Sequence, residues 1–179
     1  MKIRLTVLII CLILFQNNLK AHDEQMLLSK NFRLIELTRS QTALRLGIHN
    51  EPEPEHMVAL TALALKVLQP IRDKFGTVVC NSGYRNPELC EAIGSSANSS
   101  HCTGEACDFE AYSVSNYELA QWIKDNLEFD QLILEFPGDD PRDGWIHCSY
   151  KRDGSNRNTV LTAVKENGKT VYKQGLLGK

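Results

Sequence analysis

Two histidines and one aspartate in the second half of the chain have the residue types of a metal site. His101 opens the segment His-Cys-Thr-Gly-Glu-Ala-Cys-Asp, which ends at Asp108, and His147 follows in a later apolar segment. Glu105–Ala111 is predicted to be a strand, on which alternate side chains share a face. Gly104 permits a tight turn before it, so His101 can fold back beside Asp108.

Pairing this strand with a second predicted strand, Gly144–Tyr150, would complete a His/Asp/His triangle. Two neutral imidazoles and one carboxylate are typical zinc ligands, and they leave one coordination position open for water. Such a triangle would suit one zinc ion per chain, bound by His101, Asp108 and His147. The spacing alone is also compatible with a structural, hydrogen-bonded His–Asp pair and a core histidine.

A zinc ion lowers the pKa of its bound water, and a nearby carboxylate can then accept the proton and pass it to a leaving amine. Glu135 is the preferred candidate for this base. It lies at the end of a predicted strand, Phe129–Phe136, and only a loop separates that strand from the one that carries His147. Asp143 and Glu110 are the rival candidates.

Three ordered motifs resemble one family of zinc metallopeptidases. The motifs are Ser82-Gly83-Tyr84-Arg85-Asn86-Pro87-Glu88-Leu89, Ser100-His101-x-x-Gly104-x-Ala106-x-Asp108 and Trp145-Ile146-His147. The family comprises the zinc D-Ala-D-Ala carboxypeptidases and the phage L-alanyl-D-glutamate endolysins, and it shares its fold with the Hedgehog signalling domain. The resemblance extends from about Leu28 to Leu177 and is closest to the phage and prophage type.

The resemblance implies roles for several residues. The motif ligands correspond to His101, Asp108 and His147. The motif arginine corresponds to Arg85, which in the family contacts a carboxylate or carbonyl oxygen of the substrate. Tyr84, Ser100 and Trp145 lie within the same motifs and are further candidates for substrate binding. On its own, Arg85 is equally compatible with a surface ion pair, and Tyr84 with a core position.

The sequence departs from the family pattern at two positions. Some members carry the catalytic Glu or Asp three residues before the second histidine, where this chain has Gly144, so the base must come from elsewhere. The small residue before the motif aspartate is Cys107, which either introduces redox sensitivity or simply fills space.

The N-terminus has the layout of a secretory signal. Lys2 and Arg4 precede an apolar run, Leu5–Phe15, which is too short for a spanning helix. Cleavage after Ala21 would release a secreted or periplasmic protein. An uncleaved leader would instead tether it to a membrane, and membrane contact is expected only in that case.

The remaining chain, residues 28–177, is predicted to form a single domain. A chain of 179 residues is long enough for one hydrophobic core. The formal net charge of −2 gives no indication of a nucleic-acid partner. Five cysteines follow the leader, so at least one thiol stays free in a monomer. Most are interpreted as small buried apolar residues, with one or two disulfides as the alternative.

Hydrophobic periodicity and turn residues predict an α+β fold, with a small antiparallel sheet flanked by helices. The predicted helices are Leu28–Gly47 with a break near Ser40, Glu55–Phe75 with a kink at Pro70, a short helix capped by Asn86, and Ser115–Asn126. The predicted strands are Thr77–Asn81, Glu105–Ala111, Phe129–Phe136, Gly144–Tyr150, Thr159–Val164 and Thr170–Tyr172, the last two joined by an Asn167-Gly168 turn.

The resemblance implies a zinc metallopeptidase that hydrolyses peptide stems of bacterial peptidoglycan, and we expect it to be a monomer. Two alternatives remain open, a catalytically inactive zinc domain that binds wall peptides and a metal-free structural domain. The sequence does not distinguish a carboxypeptidase that removes a terminal D-Ala from an endopeptidase that cuts L-Ala-D-Glu, and it does not distinguish lysis from remodelling or defence.

Overall fold

A computed structural model describes residues 25–96 and 98–178 of the chain. The predicted leader, residues 1–21, lies outside these described residues. Within them, no helix combines the length and the apolar character needed to cross a membrane. Leu28 is buried near the start of the described chain, and Leu176 packs against the same core near its end.

Helices precede and flank a six-stranded sheet. The helices are α1 (Leu34–Thr38), α2 (Gln41–Leu46), α3 (Pro54–Leu63), a π-helical turn (Ala64–Leu68), α4 (Gln69–Phe75), α5 (Pro87–Ala92) and α6 (Asn116–Asn126). The strands are β1 (Val78–Ser82), β2 (Ala106–Ala111), β3 (Gln131–Glu135), β4 (Trp145–Ser149), β5 (Thr159–Glu166) and β6 (Lys169–Gln174).

Local signals in the sequence explain most helix ends. The Asn86 side chain accepts a hydrogen bond from the Leu89 N–H and caps α5, and Ser115 caps α6 in the same way. Gly76 ends α4 with a φ of 77°. The π-helical turn lies just before Pro70, which lacks the N–H that a regular helix would use at that point.

The prediction of a helix from Leu28 was wrong for its first residues. The helix begins only at Leu34, and the preceding segment makes a tight turn closed by a bridge between Leu27 and Arg33. The Leu28 N–H donates to the Phe32 carbonyl within this turn. The apolar side chains Leu28 and Phe32 are both buried, so the segment contributes to the core without being helical.

The strand order in the sheet is β1-β2-β4-β3-β5-β6. Four of the neighbouring pairs are antiparallel, as predicted, and the pair β3–β5 is parallel. Because β2 already occupies the other side of β4, the chain leaving β4 must cross to the free side of β3. The β4 strand ends beside the start of β3, so β5 begins there and runs in the same direction as β3.

One face of the sheet packs against the helices, and the opposite face carries the candidate functional residues. In β2, Cys107, Phe109 and Ala111 are buried in the core, whereas Asp108 and Glu110 point to the opposite face and are half-buried. This alternation is the one that the strand prediction required.

Candidate metal centre

Asp108 and His147 lie directly opposite each other on the paired strands β2 and β4. Because opposite residues in an antiparallel pair project to the same face, their side chains meet. The Nδ1 atom of His147 is 2.8 Å from Oδ1 of Asp108. The predicted pairing of these two strands is confirmed.

His101 reaches the same point from the turn that precedes β2. Its Nε2 atom lies 3.2 Å from Oδ1 of Asp108 and 3.2 Å from Nδ1 of His147. Gly104 permits this turn with a φ of 75°, and a Cβ atom at that position would lie 2.7 Å from the backbone oxygen of His56. The glycine is therefore required both by conformation and by space.

A backbone carbonyl fixes the orientation of the His101 ring. Nδ1 of His101 lies 2.7 Å from the carbonyl oxygen of Gly83. Since a carbonyl can only accept, this nitrogen must carry the proton, and a neutral ring then presents an unprotonated Nε2 to Asp108. Gly83 itself touches Leu37, whose carbonyl oxygen would be 2.2 Å from an added Cβ.

The charges of the centre favour a bound cation. Burial lowers the pKa of His101, so its imidazole is neutral near neutral pH. Although burial works to raise the pKa of Asp108, its contacts with the two imidazoles hold that pKa well below its usual range. The lowered pKa of Asp108 reflects stabilisation of its negative charge by the imidazoles, and a cation between the three groups would supply the same stabilisation.

The donor set fits a zinc ion. One ligand atom from each of His101, Asp108 and His147 lies within 4.8 Å of the others, and this is the one such cluster found in the described residues. Imidazole and carboxylate ligands at bond lengths near 2.0–2.2 Å are those of catalytic zinc sites. The polar contact from His101 to Gly83 is the kind of outer contact that orients a metal-binding histidine.

A disulfide anchors the segment that carries His101. Cys102 is bonded to Cys90 of α5, and the Arg85 N–H donates to the His101 carbonyl at 3.1 Å. Cys80, Cys107 and Cys148 are free thiols buried in the core. Three of the five cysteines are thus small buried residues, as the first interpretation had it, and the other two form one disulfide, as the alternative had it.

Arg85 lies at the edge of the metal centre. Its Nη2 atom is 3.7 Å from Oδ2 of Asp108. Its Nε atom is buried and has no hydrogen-bond partner among the described residues. Burial lowers the pKa of the guanidinium, but an arginine remains charged at any ordinary pH. With 17% of the side chain exposed, the guanidinium presents a positive charge at the edge of the centre.

Glu135 lies on β3 opposite Trp145, two positions along β4 from His147. The side chain is half-buried. Burial raises the pKa of its carboxyl group, and the negative charge of Asp108 adds to the rise, whereas His147 and Arg85 oppose it. The Glu135 carboxylate therefore interacts electrostatically with two of the candidate metal ligands, Asp108 and His147.

Comparison with sequence families matches residues 30–149 to peptidase M15. The chain belongs to the peptidase M15 family. No curated protein sequence matches the chain. Family membership identifies a hydrolase of the metallopeptidase type, and such peptidases typically depend on zinc. The His-Asp-His cluster of this M15 peptidase is a site that could bind such a metal.

The structure explains why this M15 peptidase has glycine where some relatives carry the acid before the second histidine. Gly144 has a φ of 76°, and a Cβ atom there would lie 1.8 Å from the Glu135 backbone oxygen. Any side chain at this position would displace the strand that carries Glu135. Glu135 itself lies on the neighbouring strand β3.

The two rival carboxylates have structural partners. Oδ2 of Asp143 accepts a hydrogen bond from the Asp140 N–H and packs against Gly138, so it holds the loop between β3 and β4. Glu110 shares a face with Asp108 but accepts a hydrogen bond of 2.8 Å from Nδ2 of Asn81.

The candidates for substrate binding occupy different environments. Tyr84 is 2% exposed, and its hydroxyl lies 3.0 Å from Nδ1 of His56, so its role in the structure is that of a core residue. The Ser100 carbonyl accepts hydrogen bonds that shape the turn after His101. Trp145 is half-buried beside Glu135, and its indole nitrogen has no hydrogen-bond partner among the described residues.

Sequence reasoning did not anticipate two elements of the site. The Gly83 carbonyl that orients His101 lies inside the Ser-Gly-Tyr-Arg motif, but a backbone contact leaves no signal in residue type. The disulfide from Cys90 to Cys102 was one of several possible pairings, because spacing does not determine connectivity.

Proposed function

We propose that this protein is a zinc-dependent peptidase that hydrolyses peptide stems of bacterial peptidoglycan. The observation that carries the proposal is the convergence of His101, Asp108 and His147 beside a carboxylate, Glu135, and an arginine, Arg85. Membership of the peptidase M15 family supports the same chemistry.

In the proposed site, each residue has a separate task. His101, Asp108 and His147 would hold the zinc ion, which when bound supplies a Lewis acid for a carbonyl group and acidifies water. Arg85 binds a carboxylate or carbonyl oxygen of the peptide through its guanidinium and orients the scissile bond.

Glu135 moves the proton. Its carboxylate accepts a proton from the attacking water and delivers it to the nitrogen of the leaving amine, as a general base and then a general acid. Partial burial favours this role, because it brings the pKa of a carboxyl group nearer to the operating pH. Trp145, which lies opposite Glu135 on β4, packs edge to face against Phe136 with centroids 5.4 Å apart.

We also propose that the protein acts outside the cytoplasm. The disulfide between Cys90 and Cys102 supports export, because such bonds persist in oxidising compartments. We expect a monomer, since one chain supplies all the proposed ligands and the base. Contact with a membrane is expected only if the leader remains attached.

Digestion of purified peptidoglycan by the zinc-loaded protein tests the proposal. Mass analysis of the fragments should reveal either free D-Ala, from a carboxypeptidase, or stems released at L-Ala-D-Glu, from an endopeptidase of the phage type. A protein that binds zinc and wall fragments but releases no peptide would instead be a catalytically inactive binding domain. Absence of zinc from the purified protein would contradict both functions.

A further inference from the structure

A groove of about 470 Å³ opens next to the metal centre. Its volume falls in the range of about 300–1,000 Å³ that is usual for small-ligand sites. One wall is the end of α1 and the start of α2, including Arg39, Ser40 and Thr42, and the opposite wall is the end of β1 with Asn81 and Ser82. Arg85, which lies 3.7 Å from Asp108, also lines the groove, whereas none of the three candidate metal ligands does.

The walls of the groove are held together by the backbone. The Tyr84 N–H donates to the Leu37 carbonyl at 2.7 Å and fastens α1 to the end of β1. The close approach of Leu37 to Gly83 leaves no room for a side chain there. The groove is therefore preformed, and a ligand entering it does not have to order the walls.

The groove is positively charged although the whole chain has a formal net charge of −2. Arg39 and Arg85 line it, and none of its lining residues is acidic. The carboxylate of Asp108 lies 3.7 Å from Arg85 and partly offsets that charge. Glu110 approaches the rim through its hydrogen bond with Asn81. Arg39 is thus the cation that gives the far part of the groove its charge.

The Arg39 guanidinium is held over the groove by a weak contact. Its Nη2 atom donates to the Cys80 carbonyl at a long distance of 3.5 Å, and the residue is exposed. This contact uses one of the five N–H donors of the guanidinium, and its planar fork remains suited to a carboxylate.

We propose that the groove between α2 and β1 binds the part of the substrate beyond Arg85, and that Arg39 recognises a second free carboxylate on an acidic peptide. The differences in cleavage rate expected from this inference rest on the proposed peptidase function. In a peptidoglycan stem the matching group is the α-carboxylate of the D-glutamyl residue, which is free because that residue is linked through its side chain. Amidation of this carboxylate would remove the charge that Arg39 binds.

The test compares two stem peptides that differ only in whether the D-glutamyl carboxylate is free or amidated. The zinc-loaded protein should cleave the free form with a kcat/KM about tenfold higher, mainly through KM, as expected for one charged pair. In Arg39→Gln this ratio should fall to near one, and Arg39→Lys should keep an intermediate ratio because it retains the charge without the fork. Arg152→Gln is the matched control, since Arg152 is exposed in the loop after β4 and does not line the groove.

A binding measurement separates this inference from the proposed function. Calorimetry with the same two peptides and the chelator-treated protein needs no cleavage. Preference for the free carboxylate that is lost in Arg39→Gln supports the groove, even if no peptide is hydrolysed, in which case the peptidase function fails alone. Equal binding of both peptides by the unaltered protein, or an unchanged preference in Arg39→Gln, overturns the assignment of Arg39.

Discussion

The carboxylate of Asp108 contacts the imidazole of His147 across the pair β2–β4, with 2.8 Å between Oδ1 and Nδ1. Register brings these two residues together, because each lies at the same level of its own strand. The third member of the cluster, His101, depends on a turn and a disulfide instead. The centre therefore combines a rigid sheet pair with a ligand held by a loop.

Removal of His147 is expected to abolish metal binding. With two ligands left, His147→Ala should contain a small fraction of the zinc in the unaltered protein, which we expect to hold about one ion per chain. Metal analysis of the purified proteins measures this. His49→Ala is the matched control, because His49 is an exposed histidine outside the cluster and should leave the zinc content unchanged. Full zinc occupancy in His147→Ala would rule out this ligand set.

Glu135→Gln is expected to keep zinc and lose at least about a hundredfold in kcat, the usual cost of removing a general base. Asp143→Asn should lose much less, because the Asp143 carboxylate holds the loop through the Asp140 N–H rather than facing the centre. Steady-state kinetics on a stem peptide compare the two variants. Near-normal turnover in Glu135→Gln combined with an inactive Asp143→Asn would assign the base to the loop.

The pKa of Glu135 should depend on the metal. In the metal-free protein, burial and then Asp108 raise the pKa of its carboxyl group above its ordinary value. A bound dication favours the ionised form and should lower it. Carboxyl NMR titration with and without zinc measures both values. Since the base must be ionised, kcat/KM should rise with pH through the Glu135 pKa measured in the zinc-loaded protein. A rise in kcat/KM that instead follows the Glu135 pKa of the metal-free protein would contradict this assignment.

The disulfide between Cys90 and Cys102 should stabilise both the fold and the metal centre. Replacing both cysteines by alanine should lower the free energy of unfolding by about 3 kcal/mol, as expected for a loop of this size. The zinc affinity should also fall, because Cys102 is the neighbour of His101. Reductant should shift the unfolding midpoint of the unaltered protein and leave that of the double variant where it is. An equal shift in both would mean that the disulfide is not the cause.

Asp130 should stabilise the junction of β3 and β5 in a pH-dependent way. Its carboxylate is buried and accepts bonds of 2.7 and 2.6 Å from the Arg157 side chain, which lower its pKa. Asp130→Asn should therefore cost about 1–3 kcal/mol at pH 7, within a range that allows for screening of the exposed Arg157.

The sign of this effect follows from the lowered pKa. A carboxyl group with a lower pKa in the folded state stabilises the protein above its unfolded pKa of about 3.9, and the contribution disappears as pH falls through the folded value. Denaturant unfolding of both proteins at pH 7 and below pH 3 should show the difference shrinking in acid. A difference that is constant with pH would assign the effect to packing rather than charge.

Residue type and spacing were sufficient for most local features of this protein, although the turn before α1 was predicted to be helical. The alternation in β2 separated Asp108 from the core residue Cys107, and Asn86 with Pro87 predicted the start of α5. The Asn167-Gly168 turn between β5 and β6 was also predicted from the sequence, and both residues have positive φ values, 51° and 77°. These features depend on neighbours within a few positions, which the sequence displays directly.

Tertiary structure alone decided the features that join distant segments. The parallel pairing of β5 with β3 depends on which sheet edges are already occupied, and strand propensity does not record this. The position of Glu135 opposite Trp145 also depends on the pairing of β3 with β4. The same is true of the Gly83 carbonyl that fixes the His101 tautomer and of the groove between Arg39 and Arg85. In each case the partners are far apart in the chain, so only their distances in the folded molecule determine the contact.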